Sequence, residues 1–181
     1  MRSILLTACA VALTGTASQA QGFDNFSTGP LIENYGPHAP IENDMPIPDG
    51  MVFRHSFDLV DEGEGGELNR NIVSAARFLN MHAAAGIPAE NLNLALVIHG
   101  SAVHDFTRAS HYGARHDGTE NANAALIAEL ARHGVQFYVC GQSAEYQGIG
   151  NDDLLPGVTM ALSAMTAHAI LQADGYTLNP F

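Results

Sequence analysis

The chain has no lysine and no tryptophan, and its 181 residues include only two cysteines. All 7 basic side chains are arginines. Without lysine there is no Schiff-base chemistry and no P-loop lysine to hold a nucleotide phosphate. Nucleic acid is excluded as a partner on charge as well. The formal net charge is −12, and a phosphate backbone needs a basic stripe that this chain lacks. Acidity of this kind promotes solubility and does not identify a partner. Past residue 20, no segment approaches the ~20 apolar residues of a membrane span. No membrane insertion is therefore expected once the leader is removed.

What is present begins with that leader. Residues 1–20 read as a cleavable signal peptide. Arg2 supplies a short positive start, residues 4–13 are an apolar core, and Ser18-Gln19-Ala20 offers small residues for cleavage after Ala20. A periplasmic or secreted mature chain is the expectation. Leu6-Thr7-Ala8-Cys9 looks like a lipoprotein box, but the apolar stretch before it is too short, so lipidation is the lesser reading. Cys9 leaves with the leader, and Cys140 becomes the single thiol. In an oxidising compartment a leftover cysteine suggests a reactive thiol or an intermolecular bridge.

Residues 21–50 are rich in Pro, Asn, Gly and acidic side chains and read as an extended N-terminal arm. Phe23, Phe26, Leu31, Ile32 and Tyr35 could dock on the arm's own domain or on a neighbouring subunit; a partly ordered tail is the alternative. Residues 51–181 form one domain. Strands are predicted over 51–60, 91–99, 135–140, 158–162 and 176–178. Between them, residues 67–85 carry an apolar helical stripe of Leu68, Ile72, Ala75, Ala76, Leu79 and Ala83. Further helices are expected over 119–133 and 164–173, the latter capped by Ser163, with a short one over 143–148. Residues 100–118 read as a long irregular stretch. Leu94-Ala95-Leu96-Val97-Ile98 has the continuous apolar run of a strand covered on both faces. The alternation gives an α/β class: three layers, α/β/α, around a mainly parallel five-stranded sheet.

Two strands end in reactive side chains, His99-Gly100 and Cys140-Gly141. In a parallel sheet both lie at the C-terminal edge, where ligands bind. A thiol just before a helix start meets the positive end of the helix dipole, which favours thiolate, and a nearby imidazole could exchange its proton. Gly100, Gly141, Gln142 and Ser143 are the binding candidates around this pair, with Asn121 at the start of the following helix. Both side chains also have structural readings, Cys140 as a small buried hydrophobe and His99 as a hydrogen-bonded strand end. His104, His111 and His116, with Asp105 and Asp117, make a metal site conceivable. Their spacing is not helical, however, and a polar surface loop lining an opening is the preferred reading; no metal and no cofactor is assigned. A serine hydrolase is disfavoured, since no Gly-x-Ser-x-Gly elbow occurs.

Several pieces together carry a resemblance: Leu96-Val97-Ile98-His99-Gly100, Asn121, the 130–140 segment ending in Cys140, and Leu171-Gln172-Ala173-Asp174-Gly175-Tyr176. In order and spacing the domain resembles the DsrE/DsrF-like family, most closely an exported branch. The resemblance implies a five-stranded α/β/α domain assembled as a homotrimer or hexamer. It also implies a sulfur-relay cysteine at Cys140 that carries a persulfide between a donor and an acceptor protein, with His99 beside it. The alternative from another class is an oligomeric binding module without turnover, holding a small ligand or metal between His99, His104, His111 and Cys140.

Overall fold

The computed structural model describes residues 24–180; the expected leader and Cys9 lie outside them. Five strands carry the fold: β1 (Phe53–Leu59), β2 (Leu92–Ile98), β3 (Gln136–Cys140), β4 (Val158–Ala161) and β5 (Thr177–Asn179). They form one sheet in the order β4-β3-β2-β1-β5, every pair parallel. The helices are α1 (Arg70–Ala84), α2 (Ala109–Arg115), α3 (Asn123–Arg132), α4 (Gly141–Gln147) and α5 (Ala164–Ala173). The expected single-domain α/β architecture is present.

Strand alternation decides what each face of the sheet sees. Phe57, Leu59, Leu94, Leu96, Ile98, Phe137 and Val139 point to the larger core, with Ile72 and Leu79 of α1, Leu126, Ile127 and Leu130 of α3, and Ala144 of α4. The opposite phase, Ala95 and Val97, meets Ala167 and Leu171 of α5 and Tyr176. The two covering layers are therefore unequal, several helices on one face and α5 alone on the other.

Chain direction creates a special edge. From β1 to β4 the chain steps steadily across the sheet, with α1, α3 and α4 on the larger core. After β4, α5 returns over the opposite face to place β5 beside β1. The neighbours β3 and β4 thus leave the sheet by opposite faces. Such a switch point opens a crevice at the carboxyl ends of the strands.

Several expectations need correction. Residues 100–118 are not irregular: Gly100–Phe106 is a 3-10 segment and α2 follows it. Nor is this stretch a polar surface loop, because His104 and Asp105 are buried. Asp105 accepts hydrogen bonds from the Gly63 N–H at 2.9 Å, Asn69 Nδ2 at 2.7 Å and Asn123 Nδ2 at 3.2 Å. Polar side chains turn inward here because the starts of α1 and α3 supply buried donors to meet them. Burial pushes the Asp105 carboxyl up despite those bonds.

Leu68 is exposed and precedes the helix, since the Asn69 side chain accepts the Asn71 N–H at 2.9 Å and caps α1. Likewise α3 starts at Asn123 rather than 119, where the Asn121 side-chain Oδ1 accepts the Asn123 N–H at 3.0 Å. Leu162, Met165 and Ile170 look like core in sequence but are exposed at 72%, 79% and 65%, because among the described residues no further layer covers α5 or the turn that leads into it.

Part of the arm docks on its own domain. Ile32 is completely buried in the larger core, and Ser27 and His38 pair across a short antiparallel bridge. A buried mid-helix residue, Asn80, receives this segment. Its Oδ1 accepts the Leu31 and Ile32 N–H groups, and its Nδ2 donates to the carbonyls of Ile32, Tyr35 and Gly36. Gly36 is required by proximity: a Cβ there would lie 2.3 Å from the Arg77 nitrogen.

Candidate functional site

Asp58, His99 and Cys140 share one strand phase. Asp58 pairs in register with Val97, and Val97 with Tyr138; His99 and Cys140 each lie two residues further along. Since Val97 faces α5, alternation sends all three side chains toward α5 at the C-terminal edge of the sheet. There a cavity of about 350 Å³ is lined by Asp58, His99, Cys140, Gln142, Ser163 and His168, among others. A larger hollow of about 670 Å³ lies over the start of α1, but neither the thiol nor any histidine lines it.

Cys140 sits at the β3–β4 switch point and is 6% exposed. Two helix starts converge on its sulfur, α4 directly after it and α5 after Ser163. Burial pushes the thiol up. The Ser143 hydroxyl and the backbone N–H groups of Ser143, Ala164 and Gln142 donate to the sulfur and outweigh burial, so the thiol lies below its ordinary range. Donors aimed at a sulfur stabilise its anion, and a thiolate is the nucleophilic form.

The close approach of β3 to β4 depends on Gly141. A Cβ there would lie 2.7 Å from the Ala161 carbonyl oxygen. Gly100 is constrained similarly: it has φ +59°, and a Cβ would lie 2.6 Å from the Val60 carbonyl oxygen. Its N–H donates to Ser143 Oγ at 3.1 Å, which ties the end of β2 to the start of α4. Gln142 offers its backbone to the thiol while its side-chain amide donates to the Leu162 carbonyl at 3.2 Å.

His99 is engaged with Asp58, its Nε2 lying 3.0 Å from Oδ1. The same carboxylate oxygen receives His168 Nε2 at 2.9 Å. Because a carboxylate only accepts, both imidazoles carry their hydrogen on Nε2. His168 Nδ1 is then buried with no hydrogen-bond partner among the described residues.

The structure brings Cys140, His99, Gln142 and Ser143 around one cavity, with Gly141 beside them and Gly100 bonded to Ser143. Asn121 does not line it. Its amide donates to the Asp105 and Thr107 carbonyls, both at 2.9 Å, and so anchors the segment before α3. The other histidines lie away from it, although the His104 and His111 rings stack with centroids 5.9 Å apart. His104 Nε2 faces Gln147 Oε1 at 3.2 Å, His111 lies 3.9 Å from Asp153, and His116 donates to Glu62 at 2.8 Å. Among the described residues, no three His, Cys, Asp or Glu side chains are grouped to hold a metal ion.

Asp58 and His168 are the site residues that sequence reasoning missed. A faint signal existed for each. Ser56 and Asp58 put polar groups on one phase of β1, and His168 lies one helical turn past the residue that follows the Ser163 cap.

The fold has counterparts among known proteins. The family model described as DsrE/DsrF-like family matches residues 56–180. A solved structure of a protein of unknown function from Methanobacterium thermoautotrophicum is similar, with a TM-score of 0.54 and 19% identity. The match covers 71% of this chain and 99% of that one, and at such identity it speaks for the fold. No curated protein matches.

Proposed function

The chain belongs to the DsrE/DsrF-like family, and from that premise we propose that it is an exported sulfur-handling protein whose Cys140 accepts and passes on a sulfane sulfur. The observation that carries this reading is the thiol at the β3–β4 switch point, held by a hydroxyl and three backbone N–H groups and opening on a cavity. The thiolate pair forms a bond to the sulfane sulfur of a polysulfide or persulfide donor. The bond between that sulfur and the rest of the donor breaks, and its electron pair leaves with the donor, as a thiolate from a persulfide or as a shorter polysulfide anion from a polysulfide. Sulfur changes partner with no net oxidation. A donor whose outer sulfur carries its proton leaves Cys140–S–S–H, and the amide groups that steady the Cys140 thiolate are positioned to steady the charge once that proton departs.

Mass spectrometry after exposure to inorganic polysulfide is the test. Added sulfur is expected on Cys140 in the wild type and on no residue of Cys140→Ser. A wild-type chain that takes up no sulfur, with a thiol inaccessible to iodoacetamide, refutes the proposal.

A further inference from the structure

We infer that His168 is the residue that receives the terminal sulfur of a sulfur-loaded Cys140, its Nδ1 exchanging a hydrogen with that sulfur while Asp58 holds its Nε2–H. The inference rests on the sulfur-handling reading above and assigns that site a second working side chain.

The geometry follows from α5. The Ala164 N–H donates to the Cys140 sulfur, and His168 is four residues later on the same helix. Four residues advance about 6 Å and return to the same helix face. Side chains lean back toward the helix N-terminus, so the His168 ring points toward the end that touches the thiol. A persulfide places its outer sulfur about 2.05 Å beyond Sγ. The cavity that holds this outer atom is lined by both Cys140 and His168.

The chemistry points the same way. Asp58 occupies Nε2 of His168, and Nδ1 is buried with no partner among the described residues. His104 Nδ1 is buried and unpartnered as well; what sets His168 apart is that it lines the cavity on which Cys140 opens. An S–H on the outer sulfur is a donor of the right kind. The proton passes from Cys140–S–S–H to Nδ1, leaving Cys140–S–S⁻ and an imidazolium whose second N–H remains on the Asp58 carboxylate. One proton moves and no electrons do. The product is the nucleophilic form of the stored sulfur. The titratable groups facing the ring are Asp58 from β1, His99 from the end of β2 and Cys140 from β3; no arginine lines the cavity. His99 lines the same cavity, but its side chain is 30% exposed and its Nδ1 is not left buried without a partner as that of His168 is.

The test is an NMR titration of histidine resonances before and after loading with inorganic polysulfide, with His168 assigned by its loss in His168→Gln. A perthiolate beside the ring raises an imidazole midpoint by about 1–3 pH units. An upward move of at least about one unit is expected for His168 in the wild type, and none in Cys140→Ser treated identically. As a second readout, the loaded persulfide of His168→Gln is alkylated by iodoacetamide with a pH midpoint about one unit above that of the wild type. A chain that loads sulfur while the His168 midpoint and the alkylation profile stay unchanged overturns the role of His168 and leaves Cys140 intact. A wild type that never loads overturns both.

Discussion

Replacing Asn80 with leucine keeps the side-chain size and removes its five hydrogen bonds to the 27–38 segment, leaving Arg77 Nε on the Pro37 carbonyl at 2.8 Å as the remaining polar tie to α1. Asn80 is 0% exposed and serves five backbone groups: the N–H of Leu31 and Ile32 and the carbonyls of Ile32, Tyr35 and Gly36. If the segment stayed docked, each stranded group would cost about 1–3 kcal/mol. Undocking is the cheaper escape, because the freed groups then hydrate. Its cost is the burial of Ile32, about 1.5–3 kcal/mol, plus the net value of the lost hydrogen bonds, about 1 kcal/mol each and partly recovered in water. A loss of about 3–5 kcal/mol is therefore expected from a total of about 5–15 kcal/mol. Urea unfolding measures it, and limited proteolysis locates it, with cleavage within 27–38 in the variant only. Ile32→Ala releases the same segment, so the double variant should lose clearly less than the sum of the two single losses. A loss below about 1 kcal/mol, with residues 27–38 still protected, refutes the reasoning.

Ser143→Ala removes the one side-chain donor to the Cys140 sulfur. A hydrogen bond to a charged group is worth about 1.5–3 kcal/mol and one pKa unit about 1.4 kcal/mol, so the pH midpoint of alkylation should rise by about 1–2 units; an unmoved midpoint contradicts the assignment. The fold should also weaken in mild acid. Burial first of all holds the imidazoles of His55, His82 and His104 below 6.5, and His82 additionally repels charge on His55. Their folded values lie below the unfolded one, so the unfolded chain binds more protons once pH drops under about 6.5, and stability falls with it. Asp105 works in the opposite sense, which makes His82→Gln the discriminating comparison. Its urea midpoint should decline less than that of the wild type between about pH 7.5 and 5, and an equal decline counts against the account.

How much of this was legible in sequence depends on how far each feature reaches. The apolar run of β2 announced a strand covered on both faces, and the edge placement of His99 and Cys140 followed from the parallel class. Ser163 was readable as a cap, and its Oγ accepts the Thr166 N–H at 3.1 Å. What escaped depends on topology. His168 meets Asp58 across 110 positions because α5 crosses back over the sheet to reach the far side of β1, and no local pattern encodes that crossing. The 100–118 stretch misled for a related reason. Its polar letters suggested solvent, yet Asp105 finds its donors on two helix starts elsewhere in the chain. Met165 and Ile170 erred the other way, since apolar composition does not reveal that a layer is one helix thick.

Three of the four groups that hold down the Cys140 thiol are main-chain amides, and a main-chain amide has no letter of its own. Any residue except proline at 142, 143 or 164 would present the same N–H. The acidity of this sulfur is thus written in the route of the chain and is insulated from most substitutions around it. Its vulnerability lies in spacing. The 148–157 connection and β4 set how far the start of α5 stands from the start of α4, and one inserted residue there could detune the thiol with every neighbouring side chain unchanged. Distant relatives could share the same acidified thiol while having almost nothing in common but the cysteine.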